Sequence, residues 1–270
     1  MSIARFFLVL AAFLAALPAM AEEIENVLIV SVDALHPDGL RDKTSPAIFG
    51  LMQAGNYTLR GRSTDPPMTL ISHTAMFTGL QPGESGKTGN SWTPGEKQVQ
   101  KTTIFDMAKR SGYGTAFFYA KTKLGYLVNG AVDDHALAPD DGIRRARMFL
   151  RHKGRHFIFL HISGLESEGS EYGWLSPEYL AELTSIDRDL RPLFEDVRNR
   201  GRYLLIVTSD HAGHAKLHGT DHPDDYRLPL IMVSDIAFCG EIQDRPYHVT
   251  DLKALVEKAL ASASFSGSIK

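Results

Sequence analysis

The stretch YLLIVTSDHAGHAKLHGTDHPDDY, residues 203–226, decides the fold. It opens with a short apolar, β-branched run, Tyr203 to Thr208, of the kind that forms a buried strand. Four of the chain's eleven histidines, His211, His214, His218 and His222, follow within twelve residues. Steps of three, four and four would line the imidazoles along one helical face, but Gly213 and Gly219 weaken a helix here and Pro223 ends it. The stretch therefore reads as a strand and a loop leaving its carboxyl end. Ligands bind at that end of an open parallel sheet, so Asp210 and His211 are expected at the edge of a site.

Outward from this stretch the pattern repeats. Apolar runs at Val27 to Val32, Thr115 to Tyr119, Phe157 to Ile162 and Leu228 to Val233 alternate with helical segments. Thr102 to Ser111 opens with a threonine cap and closes at Gly112. The segment Pro177 to Arg200 has Ser176 as cap and proline at its first position. Within it Leu180, Leu183, Ile186, Leu190, Leu193 and Val197 keep a helical period, which predicts one buried face. Strand and helix in alternation imply an α/β fold, a three-layer α/β/α sandwich around a mostly parallel central sheet. No repeat, low-complexity tract or composition break divides residues 22–270, which are expected to form one domain.

Residues 1–21 read as a secretory signal peptide: an early arginine, an apolar run from Phe6 to Leu17, then Pro18-Ala-Met-Ala21 with small residues three apart. The expectation is a periplasmic or secreted chain starting at Glu22, with no later segment apolar and long enough to span a membrane. The single cysteine, Cys239, permits no internal disulfide and lies far from the cleavage site where a lipid anchor would attach. A net charge of −3 offers no basic balance for binding a nucleic-acid polymer.

The first strand also ends in an aspartate. Val27-Leu-Ile-Val-Ser-Val-Asp33 places a carboxylate at a strand end, as Asp210 does after the later run. Two such carboxylates with His211 make an oxygen and nitrogen set suited to zinc, or to manganese. Between them lies PPMTLISHTAMFTG, residues 66–79, whose hydroxyls Thr69, Ser72 and Thr74 also read as caps for a helix beginning near Ile71.

Asp33 after a strand, Thr69-x-x-x-His73 running into Thr78-Gly-Leu-x-Pro82, and Ser209-Asp-His211 followed by His218-Gly-Thr220 resemble the metal-dependent phosphodiesterases of the alkaline phosphatase superfamily, the nucleotide pyrophosphatase/phosphodiesterase group. The similarity runs in the same order from Asp33 to about Pro229. It implies an alkaline phosphatase-like fold and hydrolysis of phosphoesters, with Thr69 as nucleophile on a metal held by Asp33, Asp210 and His211. Coordination to a divalent cation is one of few ways to ionise a threonine hydroxyl at neutral pH without a neighbouring base. Ser72 falls where the group has an asparagine that touches phosphate, and His73 matches a histidine read as packing.

In the group a second metal is held by Asp-x-x-Gly-His and by the histidine corresponding to His218. This chain has Glu166-Ser-Glu-Gly-Ser170 there, located by Tyr172-Gly-Trp174 and the Ser-Pro-Glu-Tyr-Leu that follows. Glutamate can replace aspartate, whereas serine is a poor substitute for imidazole. His161, Glu168, Glu171, His214 and His222 are the nearby groups that could complete the site, and Glu166 and Ser170 could equally be loop residues beside an empty one. Lys121 and Lys123, just past the run at 115–119, are placed to meet an anionic substrate. The expected function is hydrolysis of a small phosphoester with one or two divalent ions. The alternative is a catalytically impaired metal-binding chain that captures a phosphorylated or sulfated ligand.

Overall fold

The computed structural model describes residues 23–236 and 242–262. The expected leader, residues 1–21, and Cys239 lie outside them. In chain order the elements are β1 (Asn26–Val32), α1 (Pro46–Ala54), β2 (Asn56–Arg62), α2 (Thr69–Thr78), α3 (Pro82–Ser85), α4 (Ile104–Arg110), β3 (Gly114–Tyr119), β4 (Asp134–Leu137), α5 (Gly142–Phe149), β5 (His156–Ile162), α6 (Leu165–Tyr172), α7 (Pro177–Arg200), β6 (Tyr203–Thr208), β7 (Arg227–Ser234), β8 (Tyr247–His248) and α8 (Asp251–Ser262).

The eight strands form one sheet in the order β4-β3-β5-β1-β6-β7-β2-β8. Only β7 runs against the others, because β6–β7 and β2–β7 are the antiparallel pairs. The mostly parallel α/β sheet expected from the alternation is present. β1 is buried along its whole length and pairs in parallel with β5 on one side and β6 on the other. Its alternate residues serve the two faces. Val27 and Ile29 pack into a core with α2, α4 and α8, while Leu28, Val30 and Val32 pack into a second core with α1, α5 and α7. Burial on both faces explains the continuous apolar runs.

Helix α7 follows its predicted bounds, with the Ser176 side chain accepting from Tyr179 N–H. Its buried face includes Leu183, Ile186, Leu190, Leu193 and Val197, while Leu180 is only half-buried. An unexpected polar member of that face, Asp187, accepts from the N–H groups of Ala47 (2.9 Å) and Ile48 (2.8 Å). It thereby satisfies donors at the start of α1, whose own cap residue Ser45 makes no side-chain cap bond. Helix α4 is capped by Thr103, one residue later than expected, through a reciprocal box with Asp106.

Two expectations for the motif segments are corrected. Helix α2 begins at Thr69 rather than near Ile71, and its cap residue Met68 makes no side-chain bond. The hydroxyls thought to cap it go elsewhere: Thr74 Oγ1 donates to Leu70 O, and Ser72 Oγ lies 2.7 Å from Ser63 Oγ and 2.9 Å from Thr64 Oγ1. The segment from Glu166 to Ser170 is not a loop but most of helix α6.

His156, at the amino end of β5, is buried and within 3.0 Å of Asn26 Oδ1 through Nδ1. Burial, helped by the charge of Arg200, lowers its pKa to about 4. Between about pH 6.5 and about 4 the unfolded chain therefore binds a proton that the folded chain refuses. Unfolding free energy should fall as pH drops through that window, by on the order of 2–3 kcal/mol from this group. Urea denaturation across the window should show that component missing in His156→Gln.

Candidate metal centre

The register of β1 against β6 builds the site. Ser31 pairs with Thr208, so Asp33 and Asp210 each stand two residues beyond a matched pair, just past the carboxyl ends of adjacent strands. Both carboxylates are completely buried, as is His211. The turn after Asp33 is fixed by several bonds. Ala34, a non-glycine residue at φ 60°, donates its N–H to Asp210 Oδ1 at 3.2 Å. Leu35 N–H donates to Ser209 Oγ, which itself donates to His211 O. The Tyr179 hydroxyl donates to Ala34 O and accepts from His36 N–H. A strained left-handed residue held by this many partners marks a place where chain direction matters more than local comfort.

Three atoms are left over. Asp33 Oδ1, Asp210 Oδ2 and His211 Nε2 are buried and have no hydrogen-bond partner. His211 Nδ1–H donates to Ala212 O at 2.8 Å, so its Nε2 presents a lone pair. His211 Nε2 is 3.6 Å from Asp33 Oδ1 and 3.5 Å from Asp210 Oδ2, and the ligand atoms of the three residues all lie within 4.8 Å of one another. Three acceptors facing one point, each unsatisfied at a cost of about 1–3 kcal/mol, fit a divalent cation.

Asp33 Oδ2 is used differently. Ala120 N–H donates to His161 Nδ1, so His161 Nε2–H donates to Asp33 Oδ2, 3.0 Å away. Lys121, leaving the carboxyl end of β3, places its Nζ 2.5 Å from the same oxygen, against Glu166 Oε2, and 3.3 Å from Thr69 Oγ1. Burial raises the Asp33 pKa, but Lys121, His161 and His211 outweigh it and hold the carboxyl well below the usual range. For Lys121 burial opposes the charge, yet Asp33, Glu166 and Asp210 keep its pKa above that of an ordinary lysine.

Glu166, in the first turn of α6, accepts from His218 Nε2 at 3.0 Å. That bond raises the His218 pKa. In Glu166, burial pushes upward, while His218 and Lys121 bring the net shift below the ordinary value. The His218 ring stacks on His211 with centroids 4.8 Å apart. Ser170, one turn beyond Glu166 on α6, is exposed, as is Glu171. His214 and His222 turn away to a separate cluster: they stack at 3.8 Å, and His214 Nδ1 is 2.7 Å from Asp225. Of the groups named for the second site, the structure thus brings His161 to Asp33 and the other two histidines to Asp225.

Ser72 is buried, and the Ser63 hydroxyl that it meets donates onward to Asp210 O. It ties α2 to the loop after β6. His73 Nδ1–H donates to Thr69 O and its Nε2 meets Ser31 Oγ at 3.0 Å. Burial lowers its pKa to about 4 and keeps it a neutral packing element. Lys123 is half-buried near the site, its pKa lowered by burial and by the charge of Lys121. Ser209 and Tyr179, the residues that fix the Asp33 turn, carried no sequence signal beyond lying in or near a motif.

The family model described as type I phosphodiesterase / nucleotide pyrophosphatase matches residues 27–228. The chain belongs to that family. Among curated relatives, GPI ethanolamine phosphate transferase 1 of Neurospora crassa is 37% identical over 79 residues, covering 28% of this chain and 8% of its own length. The family fold also appears in murine ectonucleotide pyrophosphatase / phosphodiesterase 5, with a TM-score of 0.69 at 14% identity over 87% of this chain and 95% of that one. The C-terminal periplasmic domain of EptC from Escherichia coli, in a complex with Zn, gives 0.62 at 11% identity over 87% and 82%. No helix among the described residues is long and apolar enough to cross a membrane.

Zn2+ added at about 100 times its dissociation constant to chelator-treated protein should stabilise the fold by about 2.7 kcal/mol. For a chain of this size that is a rise in melting temperature of roughly 5–10 °C. Asp210→Asn, which keeps the shape and removes the charge, should lose most of the rise. Unchanged melting of the unmodified protein with both Zn2+ and Mn2+ would rule out a cation at these three residues.

Proposed function

We propose that the chain is an exported, metal-dependent phosphoester hydrolase in which Thr69 is the nucleophile. The observation that carries this reading is that Thr69 Oγ1, buried at the first residue of α2, shares the Lys121 ammonium with Asp33, whose other oxygen faces Asp210 and His211. Asp33, Asp210 and His211 would hold the divalent ion, zinc or manganese. Bound there, such an ion supplies Lewis acidity, easing ionisation of a hydroxyl and offsetting charge on a phosphoryl group.

The chain's own groups supply the rest. Helix α2 starts at Thr69 beside Lys121, and although Leu70 N–H of its first turn is taken by Asn90 Oδ1, the positive end of the helix dipole there favours a phosphate. Lys121 donates to Thr69 Oγ1, favouring the oxygen's negative form. The threonine oxygen gives up its proton to solvent and attacks phosphorus, the bond from phosphorus to the leaving group breaks with its electron pair on that oxygen, which takes a proton from solvent to leave as the alcohol, and a phosphothreonine results. Water then attacks that phosphorus, the bond from phosphorus to Oγ1 breaks with its pair on Oγ1, and the threonine regains a proton from the water as the phosphate product leaves. Lys123 adds positive charge near the entering anion. Export rests on the leader-like residues 1–21.

The relatives named as ethanolamine phosphate transferases favour a second outcome for the same intermediate, in which an alcohol replaces water. Phosphomonoesters, diesters, phosphonates and sulfate esters, assayed with added Zn2+ or Mn2+ and with and without an alcohol acceptor, separate the two. Thr69→Ala should abolish turnover in every case while keeping cation-dependent stabilisation, and Thr69→Ser should retain part of the rate. Full turnover in Thr69→Ala removes threonine from the mechanism. Cation binding without turnover on any ester, in the unmodified chain, would favour capture of a phosphorylated or sulfated ligand.

A further inference from the structure

Deepening that reading, we infer that the Lys121 ammonium is the second cation of this site, filling the gap between Asp33 and Glu166 in place of a second divalent ion. The inference rests on how few donors surround the gap. Asp33 Oδ2 and Glu166 Oε2 both lie within hydrogen-bond distance of the one Nζ, so an ion and the ammonium cannot occupy the gap together. Asp33 Oδ2 already accepts from His161, and Glu166 Oε1 is engaged with His218 Nε2 at 3.0 Å. The remaining position of the motif, Ser170, is exposed and carries no imidazole.

Structural and catalytic zinc sites draw on imidazole or thiolate ligands, whereas the gap offers only oxygens, two carboxylate and one hydroxyl, and Asp33 Oδ2 among them is shared with His161. An ammonium has different needs. It carries three N–H donors, and three acceptors meet it here: Asp33 Oδ2, Glu166 Oε2 and Thr69 Oγ1. Charge agrees with this count. The carboxylates of Asp33, Asp210 and Glu166 are cancelled by one divalent ion with one ammonium, whereas a second divalent ion beside Lys121 would leave an excess of two positive charges in a largely buried site. A serine at position 170 and an ammonium from Lys121 in the gap thus fit one arrangement.

The test is isothermal titration of Zn2+ into chelator-treated full-length protein, with the folded state of each variant checked by its thermal melt. The unmodified chain should bind one ion. Ser170→His alone should still bind one, because Lys121 keeps the gap filled. Lys121→Gln combined with Ser170→His should bind two, the ammonium gone and an imidazole supplied. Two ions in the unmodified chain or in Ser170→His would overturn the inference by showing that Lys121 yields to metal. A single ion in a folded double variant would overturn it as well. Should the double variant fail to fold, the Ser170→His stoichiometry decides alone. No binding in the unmodified chain would instead overturn the cation site on which the inference rests.

Discussion

Three acceptor atoms in this protein face one another without a donor between them. Asp33 Oδ1, Asp210 Oδ2 and His211 Nε2 lie within a few ångströms, all buried and all unpartnered. Folding brings negative charge and a lone pair together at the centre of a sheet edge, which is unfavourable unless a cation is held there. Much of the surrounding structure maintains that arrangement. Tyr179 reaches from α7 to hold the turn after Asp33 from two sides. Ser209 bridges the β1 and β6 turns, and the Ser63–Ser72 pair fastens α2 to the Asp210 backbone.

Donors to the other oxygen of Asp33 arrive from strands on the β1 side. β3 and β5 lie beyond β1, and their carboxyl ends contribute Lys121 and His161, both directed to the oxygen of Asp33 that the three-acceptor cluster leaves over. One carboxylate is thereby divided between two environments, a lone-pair cluster on Oδ1 and hydrogen-bond donors on Oδ2. Thr69 enters from the far side on α2 and meets the donor side through Lys121. The Thr69 hydroxyl, the Lys121 ammonium and the three-acceptor cluster converge, although the turns after Asp33 and at Asp210 that meet in it are more than 170 residues apart in the chain.

A second group of metal-capable side chains, His214, His222 and Asp225, shows how little composition alone decides. The same histidine-rich loop supplies both clusters. Asp225 accepts from Thr220 N–H and Oγ1 through one oxygen and pairs with His214 through the other, so it closes the loop on itself. His218, between those histidines in sequence, turns instead to Glu166 and stacks on His211. Gly213 makes this crossing possible: a Cβ there would come within 2.4 Å of the Trp174 ring.

The strands, the α7 face and the motif aspartates were legible in the sequence because each rests on a local rule. Burial on both faces of β1, β5 and β6 gives continuous apolar runs, a 3.6-residue period marks α7, and strand ends in parallel sheets collect ligands. The strands β2 and β4, largely exposed or half-exposed along their length, and the two-residue β8 carry no such pattern and did not stand out. The partners of each charged group were beyond local rules altogether. Lys121 and Lys123 stand two residues apart with the same side chain, yet only Lys121 reaches Asp33 and Glu166. Asp187 looks like any polar residue of a helix and proves to cap another one. Sequence determined which chemistry the chain carries and at which strand ends. The tertiary structure alone decided which charges face each other, because that depends on strand order and register, and on the directions in which turns leave the sheet.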